Sequence, residues 1–313
     1  MRKYAPKQRI DQAAEYATSV HGQQLAKGDT KVATCISCHG AHGVRLVSDA
    51  RSPGYPVNVA ATCTQCHADP VRMKGYALPD GAPLPTDQRV KYEKSVHYAA
   101  MTQRNDLSAP TCNDCHGNHG AAPPGVGAVA NVCGTCHTVF ATKFALSSHG
   151  QIFDRGCVEC HSNHEIAKPA DAMLGTDKAS VCANCHSEGD NGHVAATRMR
   201  AEIEKLKGAI DRSQALVARA ENAGMEMSGQ SLALREAANH LTLARTEMHT
   251  FDPKAVDTVL QAGLGLTTKV DADGEAALAE VAFRKTGLAV SLGAILLVVV
   301  ALALKIRGLK PRQ

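Results

Sequence analysis

The chain has 313 residues, a formal net charge of +4 at pH 7, few aromatic residues and no tryptophan. Its arginines are scattered and lack aromatic neighbours, which argues against nucleic-acid binding. The length allows about two domains, but residues 1–193 are too rich in glycine and proline to build an ordinary apolar core.

The twelve cysteines form six CxxC pairs, and each pair is followed directly by a histidine. No cysteine remains for a disulfide framework or a catalytic thiol. The first cysteines are Cys35, Cys63, Cys112, Cys133, Cys157 and Cys182, and the second are Cys38, Cys66, Cys115, Cys136, Cys160 and Cys185. The histidines that close the motifs are His39, His67, His116, His137, His161 and His186.

CxxCH is the attachment signature of haem c, because its two thiols can add to the vinyl groups while the next histidine ligates the iron. Zinc is the alternative, since paired CxxC motifs also build zinc ribbons and knuckles. Six pairs that are all followed by histidine favour six covalently bound haem c groups, with the closing histidines as proximal iron ligands.

A second set of histidines recurs at matched places around these motifs. His21, His97 and His149 each lie in an SxH sequence, whereas His42, His119 and His164 each follow a CxxCH by three residues. One unit therefore reads SxH, CxxCHxxH, CxxCH, and the chain repeats it three times. The six additional histidines match the six vacant axial positions, so we expect them to be the distal iron ligands.

The short spacing within CxxCHxxH limits which iron each histidine can reach. His39 and His42 cannot bind one iron from opposite faces, because three residues span at most about 10 Å. We therefore expect His42 to bind a different haem, and the same argument holds for His119 and His164. Iron with two histidine ligands has no open position, which favours electron transfer over substrate chemistry and leaves no catalytic residue to assign.

From about Val194 the composition changes to helix-forming residues without cysteine, and two apolar seams follow. A break at residues 224–229 separates them, which predicts an antiparallel helical hairpin. Asp252 and Pro253 are typical of a third helix start. The first seam is Met199, Ile203, Leu206, Ile210, Ser213, Val217 and Ala220, and the second is Leu234, Ala237, Leu241, Ala244, Met248 and Phe251.

Residues 286–304 carry no charge and are long enough to cross a bilayer. The basic residues Lys305, Arg307, Lys310 and Arg312 follow, so the positive-inside rule predicts a cytoplasmic C-terminus in the inner membrane and haems on the periplasmic side. No apolar signal segment follows residues 1–10, so we expect either a processed or shortened chain or a start further upstream.

These patterns predict a mostly α fold with much irregular loop. We expect a haem-cored domain of three di-haem units over residues 1–193, a helical hairpin or stalk over 194–283, and a transmembrane anchor with a cytoplasmic tail over 284–313. At about 32 residues per haem, the macrocycles themselves are expected to be the core of the first domain.

The SxHG, CxxCHGxHG and CxxCH elements of residues 19–186 resemble the doubled-CxxCH multihaem c-type cytochromes of anaerobic and metal-respiring bacteria. The resemblance implies an electron conduit that links membrane quinol oxidation to periplasmic acceptors. Because the apolar span contains no ionisable residue for quinone chemistry, the expected partners are a polytopic membrane subunit of a quinone-linked complex and other redox subunits or soluble cytochromes.

Three functional hypotheses remain open. The first is a membrane-anchored hexahaem electron carrier that serves as a subunit of a quinone-linked respiratory complex. The second is a multihaem reductase of nitrite or hydroxylamine type, which needs one five-coordinate haem that the histidine count does not leave. The third is a subunit of an extracellular cytochrome filament, against which the membrane anchor argues.

Overall fold

The computed structural model describes residues 9–121 and 132–309. Lys310 and Arg312 of the predicted basic flank lie outside these residues, as do residues 1–8. The chain divides into two compact units, Met1–Met173 and Leu174–Gln313. This division lies before the composition change at about Val194, so the sixth CxxCH motif belongs to the second unit.

The first unit consists of short helices joined by irregular loops, and its described residues contain no strand, only a bridge between Ala77 and Pro83. The helices are α1 (Gln12–Thr18), α2 (Val20–Ala26), α3 (Cys35–His39), α4 (Pro56–His67), α5 (Pro70–Met73), α6 (Gln88–Glu93), α7 (Val96–Gln103), α8 (Cys112–His116), α9 (Thr138–Ala145) and α10 (Val158–His161). Single 3₁₀ turns cover Val132–Thr135, His149–Gln151 and Asp171–Met173.

The described part of the first unit has a very small apolar core. Its fully buried apolar side chains are Val59, Ala60, Ala100, Met101 and Ala109. Five such side chains are too few to stabilise a folded unit of this length. The polypeptide alone therefore supplies only a small apolar core in this part of the chain.

The second unit begins with a 3₁₀ turn at Cys182–Asn184 and continues into three long helices, α11 (Asn191–Asn222), α12 (Ser228–Glu247) and α13 (Pro253–Gly308). A further 3₁₀ turn, Met248–Thr250, lies between α12 and α13. The predicted helix start is confirmed, because Asp252 accepts a hydrogen bond from the Lys254 amide at 2.9 Å and Pro253 is the first helical residue.

Both predicted seams lie at the centre of this unit. All seven seam residues of α11 are buried, as are Leu234, Ala237, Leu241 and Ala244 of α12, while Met248 packs against them. The helix break is also confirmed. Gly224 adopts φ +87° and the Met225 amide donates back to the Ala220 carbonyl at 3.1 Å, which closes α11 with a Schellman turn.

The first half of α13 packs against α11 and α12 and completes a three-helix bundle. Sequence analysis predicted the start of this helix but not its packing. Arg198 of α11 lies 3.4 Å from Asp257, and Ser213 donates to Asp271 at 2.6 Å, so α13 runs parallel to α11. Gln230 of α12 donates to Asp273 at 3.0 Å. The buried positions of α13 step by four and three: Val256, Leu260, Gly263, Thr267, Val270, Gly274, Ala277 and Val281.

The same helix continues without a break into the apolar segment, which the structure presents as one candidate membrane span. Its large apolar side chains from Leu288 to Leu304 are 47–73% exposed, whereas the bundle core ends at Val281. An exposed apolar surface of this length is unfavourable in water and favourable in lipid. The predicted fold class, a mostly helical chain with one C-terminal membrane helix, is confirmed.

Candidate cofactor sites

The CxxCH motifs occupy short helical segments in both units. Helices α3 and α8 begin at the first cysteine, because Thr34 and Thr111 form capping boxes with Ser37 and Asp114. Residues i, i+3 and i+4 share one face of a helix. A helical CxxCH therefore presents two thiols and one imidazole on the same side. None of the twelve cysteines forms a disulfide, and all are at least partly accessible.

Among the contacts that the structure describes, four of the predicted proximal histidines face a predicted distal histidine. The ring centroids lie 6.0 Å apart for His21 and His67, 6.0 Å for His39 and His119, 6.3 Å for His97 and His137, and 6.0 Å for His116 and His164. Two metal–nitrogen bonds of about 2 Å and two half-rings of about 1 Å would separate the centroids by about 6 Å. The donor chemistry and the spacing both fit a bis-histidine iron.

The four pairs follow two rules. His21 and His97, from the SxH sequences, pair with the last motif of their own repeat, at His67 and His137. In contrast, the second histidine of a CxxCHxxH pairs with the first motif of the preceding repeat, as His119 does with His39 and His164 with His116. Neighbouring repeats are therefore joined through these histidine pairs.

The remaining predicted ligands are His42, His149, His161 and His186. His149 stacks on Phe153 with 5.5 Å between ring centroids, and His161 ends α10. In the second unit, His186 Nδ1 lies 3.1 Å from the Asp190 carboxylate, which also caps α11. His42 is exposed, and among the described residues no ring contact joins it to another histidine.

A buried serine orients each SxH histidine. The amide of the residue after the histidine donates to the serine hydroxyl at 3.0–3.1 Å, and the serine amide donates at 2.9–3.0 Å to the carbonyl of an aromatic residue three positions earlier. Sequence analysis noted the serine only as part of a pattern and missed the recurring aromatic residue. The pairs are Tyr16 with Ser19, Tyr92 with Ser95, and Phe144 with Ser147.

A repeated backbone contact docks the first two SxH helices onto the next repeat. The Val20 amide donates to the Ala121 carbonyl at 3.2 Å, and the Val96 amide donates to the Ile166 carbonyl at 2.9 Å. In both cases the donor precedes the SxH histidine by one residue and the acceptor follows the CxxCHxxH histidine by two. The same contact therefore joins repeat one to repeat two and repeat two to repeat three.

In each CxxCHxxH sequence, the residue directly after the first histidine has a backbone conformation that turns the chain. Gly40, Gly117 and Ser162 have φ of +77°, +80° and +64° with extended ψ. This region is essentially restricted to glycine. The turn directs the following histidine away from its own motif, which gives a structural basis for the predicted binding of a different iron, and Ser162 adopts it despite its side chain.

Burial keeps several of these imidazoles in the neutral form that can ligate iron. It lowers the pKa of His21 and His97, and it is the largest cause of the lowered pKa of His164. Burial also lowers the pKa of His67, with smaller contributions from His21 and His116. The influence of His116 on His67 places the second and third motifs side by side.

The thiols show that consecutive motifs are neighbours in the first unit. A hydrogen bond with Cys63 lowers the pKa of the Cys112 thiol, and one with Cys157 lowers the pKa of the Cys133 thiol. Burial, followed by the charge of Cys133, raises the pKa of Cys115 to about 11. The second to fifth motifs thus lie next to one another in chain order.

A sequence profile for the family described as "Doubled CXXCH motif" matches residues 149–191. This range includes the motifs at Cys157 and Cys182 and the distal candidates His149 and His164. No curated protein and no solved structure matches the chain. The match and the motifs indicate a multihaem c-type cytochrome with covalently bound haem c, active in electron transfer.

Proposed function

We propose that this multihaem, helix-anchored chain is a hexahaem electron carrier with histidine on both sides of each iron. The observation that carries the proposal is the set of four histidine pairs with ring centroids 6.0–6.3 Å apart. A reductase site would instead require an iron with an open position. The repeated pairing argues for electron transfer as the main task.

In this proposal the twelve motif cysteines hold six haem c groups, and the six motif histidines are the proximal ligands. The distal ligands are His21, His42, His97, His119, His149 and His164. Haem c, when bound, exchanges single electrons through its iron. The serine-capped turns hold the distal imidazoles in place, and the paired histidines exclude water and small substrates from the iron.

The chain itself sets the order of the sites. His119 and His164 reach back to the preceding repeat, while Cys63 lies beside Cys112 and Cys133 beside Cys157. These contacts support a continuous series of neighbouring sites in chain order. A protein with this arrangement can pass electrons internally without a mobile carrier.

We further propose that the chain is a subunit of a quinone-linked respiratory complex, anchored in the inner membrane with its haem sites on the periplasmic side. The apolar span contains no ionisable residue, so quinone oxidation or reduction requires a separate polytopic subunit. The small residues Gly287, Ser291 and Ala294 step by four and three along one face of α13 and would allow a neighbouring helix to approach closely.

Haem content and spin state test the carrier proposal. The purified full-length protein is expected to contain six haem c per chain, all low-spin by electron paramagnetic resonance. Replacing His119 by Ala should create one high-spin haem, because His119 faces His39. His240→Ala, on α12, is the matched control and should leave all haems low-spin. A high-spin haem in the wild-type protein would favour the reductase hypothesis.

Mild detergent extraction tests the membrane partner. A multi-span protein should co-purify with the wild-type chain, and the double change Ser291→Leu and Ala294→Leu should release it. Ala289→Leu with Val300→Leu, on the opposite face of the same helix, is the control and should retain the partner. Purification of an active single chain that oxidises quinol unaided would contradict this division of tasks.

A further inference from the structure

The sixth CxxCH motif is followed by a turn that brings an aspartate back to the motif histidine. The Asp190 amide donates to the Ser187 carbonyl at 3.1 Å, and Gly189 between them has φ +87°, a conformation that favours glycine. The turn places the Asp190 carboxylate 3.1 Å from Nδ1 of His186. One ring nitrogen of this predicted proximal ligand therefore has a charged partner.

Two backbone amides hold the Asp190 carboxylate in place. The Ser187 amide donates to Oδ2 and the His193 amide donates to Oδ1, both at 2.7 Å. The second of these bonds caps helix α11. Because both oxygens are bound to the backbone, the carboxylate is fixed beside His186 and does not rotate freely into solvent.

Gly192 fixes the imidazole ring from a different direction. A Cβ at this position would overlap Cε1, Nδ1 and Nε2 of His186. Overlap with three ring atoms means that the ring lies against the Gly192 backbone, an approach that glycine alone permits. The first turn of α11 and its capping carboxylate therefore orient the His186 ring together.

The sequence sets the sixth motif apart from the other five at this position. Four residues after the motif histidine, the fifth motif has Glu165, which pairs instead with Lys94 at 3.4 Å. The first four motifs have no acidic residue there; the residues are Gly43, Val71, Gly120 and Ala141. A carboxylate at this position and within hydrogen-bond distance of the motif histidine is thus a feature of the sixth motif.

We propose that Asp190 is a positioning residue that lowers the reduction potential of the sixth haem site by accepting a hydrogen bond from its proximal ligand, His186. The inference rests on the proposed bis-histidine carrier function. When Nε2 of a histidine binds iron, Nδ1 carries the ring proton and can donate it. A carboxylate acceptor makes the imidazole a stronger electron donor, which stabilises ferric iron more than ferrous iron.

Asp190 thereby sets how firmly the last site of the series holds an electron. Compared with the same site without the carboxylate, the reduced state is less favoured, so an electron passes more readily from the His186 site to a neighbouring site. Because Asp190 also caps α11, the orientation of this ligand is tied to the helical bundle of the second unit.

Redox titration of the purified full-length holoprotein, followed by optical absorption, tests the carboxylate. Asp190→Asn keeps a good helix cap but removes the charged acceptor, so one haem potential should rise. Changing such a partner alters metal affinity about 10- to 100-fold. Since a tenfold change is about 59 mV for one electron, the expected rise is about 60–120 mV. Asp190→Ser, which also caps a helix without a carboxylate, should raise the same potential, whereas Asp190→Glu should raise it less.

Glu188→Gln is the matched control, because Glu188 is exposed in the same turn and its change removes the same charge. This variant should shift the potentials less than Asp190→Asn does. One low-spin ferric signal in the electron paramagnetic resonance spectrum should also move in Asp190→Asn and remain in place in Glu188→Gln. Equal potentials in these two variants, or loss of a haem from Asp190→Asn, would overturn the inference.

The spin state of the wild-type protein separates this inference from the carrier function. A high-spin ferric haem in the wild-type protein would contradict the carrier proposal itself. If all wild-type haems are low-spin and Asp190→Asn leaves every potential unchanged, only the assignment of Asp190 fails.

Discussion

The serine of each SxH sequence is predicted to control how firmly the distal histidine is held, and Ser19 offers the clearest test. Its side chain is 1% exposed, accepts the Gly22 amide at 3.0 Å and donates to the Tyr16 carbonyl at 2.6 Å. Ser19→Ala removes an N-cap, which costs about 1 kcal/mol. The change also leaves the buried Gly22 amide without its partner, and such a loss costs about 1–3 kcal/mol.

These two costs describe the same lost contact, so we expect a total of about 1–3 kcal/mol, which corresponds to roughly a 5- to 150-fold shift in an equilibrium. Because α2 carries His21, the shift should appear as faster release of that ligand. Carbon monoxide binding to the reduced protein measures this release, and one haem should react roughly 5- to 150-fold faster than in the wild type.

Ser148→Ala is the matched control, since Ser148 lies beside the capping Ser147 but is exposed. This variant should bind carbon monoxide at the wild-type rates. Equal rates for Ser19→Ala and Ser148→Ala would refute the idea that the buried cap holds the distal helix in position.

Two further predictions concern backbone strain and helix packing. Ser162→Gly should raise the melting temperature, because it relieves about 1–3 kcal/mol of backbone strain at φ +64°. Gly117→Ser should lower the melting temperature, because it introduces the same strain. A lower melting temperature in both variants would contradict this prediction. Gly263→Ala should reduce the free energy of bundle unfolding, since its Cβ would lie 2.8 Å from the buried Leu206. Gly265→Ala is the control: its Cβ meets open space, so the variant should gain about 0.5–1 kcal/mol in helix propensity. If denaturant unfolding shows the free energy of unfolding changing in the same direction in both alanine variants, close packing at Gly263 is contradicted.

The sequence was most informative where the physical signal is local. The six CxxCH motifs, the seam from Met199 to Ala220 and the Asp252–Pro253 helix start each depend on residues within a few turns of one another. The structure places the seam residues in the bundle core and the helix start at Pro253. Local periodicity and capping were sufficient to predict these features.

The bundle's third seam was missed because glycine and threonine occupy three of its eight positions. Gly263, Thr267 and Gly274 occupy buried heptad positions of α13, but their sequence carries little apolar signal. Glycine appears there because α13 approaches its neighbours closely, and a Cβ at Gly274 would lie 2.8 Å from Leu216. Such a seam is recognised only when the neighbouring helix is in place.

The pairing of distal and proximal histidines also lay beyond the sequence. Spacing predicted that His42, His119 and His164 do not serve their own motifs, but it did not indicate which motif histidine each of them faces. The structure pairs His119 with His39, about 80 residues earlier in the chain. The interval between the motifs varies from one repeat to the next, so the register depends on contacts that only the folded chain reveals.

The histidine pairs also bear on what stabilises the first unit. Its described residues bury few apolar side chains. With one iron held between each of the four pairs, as proposed, each pair closes a loop of about 40–80 residues, and closing loops of this length removes about 4 kcal/mol of unfolded-state entropy per crosslink. Four such crosslinks are comparable to the whole stability of an ordinary domain.

The second unit does not depend on the cofactor in this way, because α11, α12 and α13 share a continuous apolar core around Leu206 and Leu260. We therefore expect the chain made without haem to be folded in only one of its two units. Limited proteolysis should digest the region before Leu174 rapidly and leave a helical fragment that begins near residue 191 and contains α11, α12 and α13. The holoprotein should resist cleavage throughout. The haem-free His42→Ala variant is the control. It should be digested like the haem-free wild type, because a chain without haem has no iron ligation to lose. Protection of residues 9–121 in the haem-free chain would show that the polypeptide alone stabilises the first unit, and it would refute the assignment of its stability to the ligand pairs.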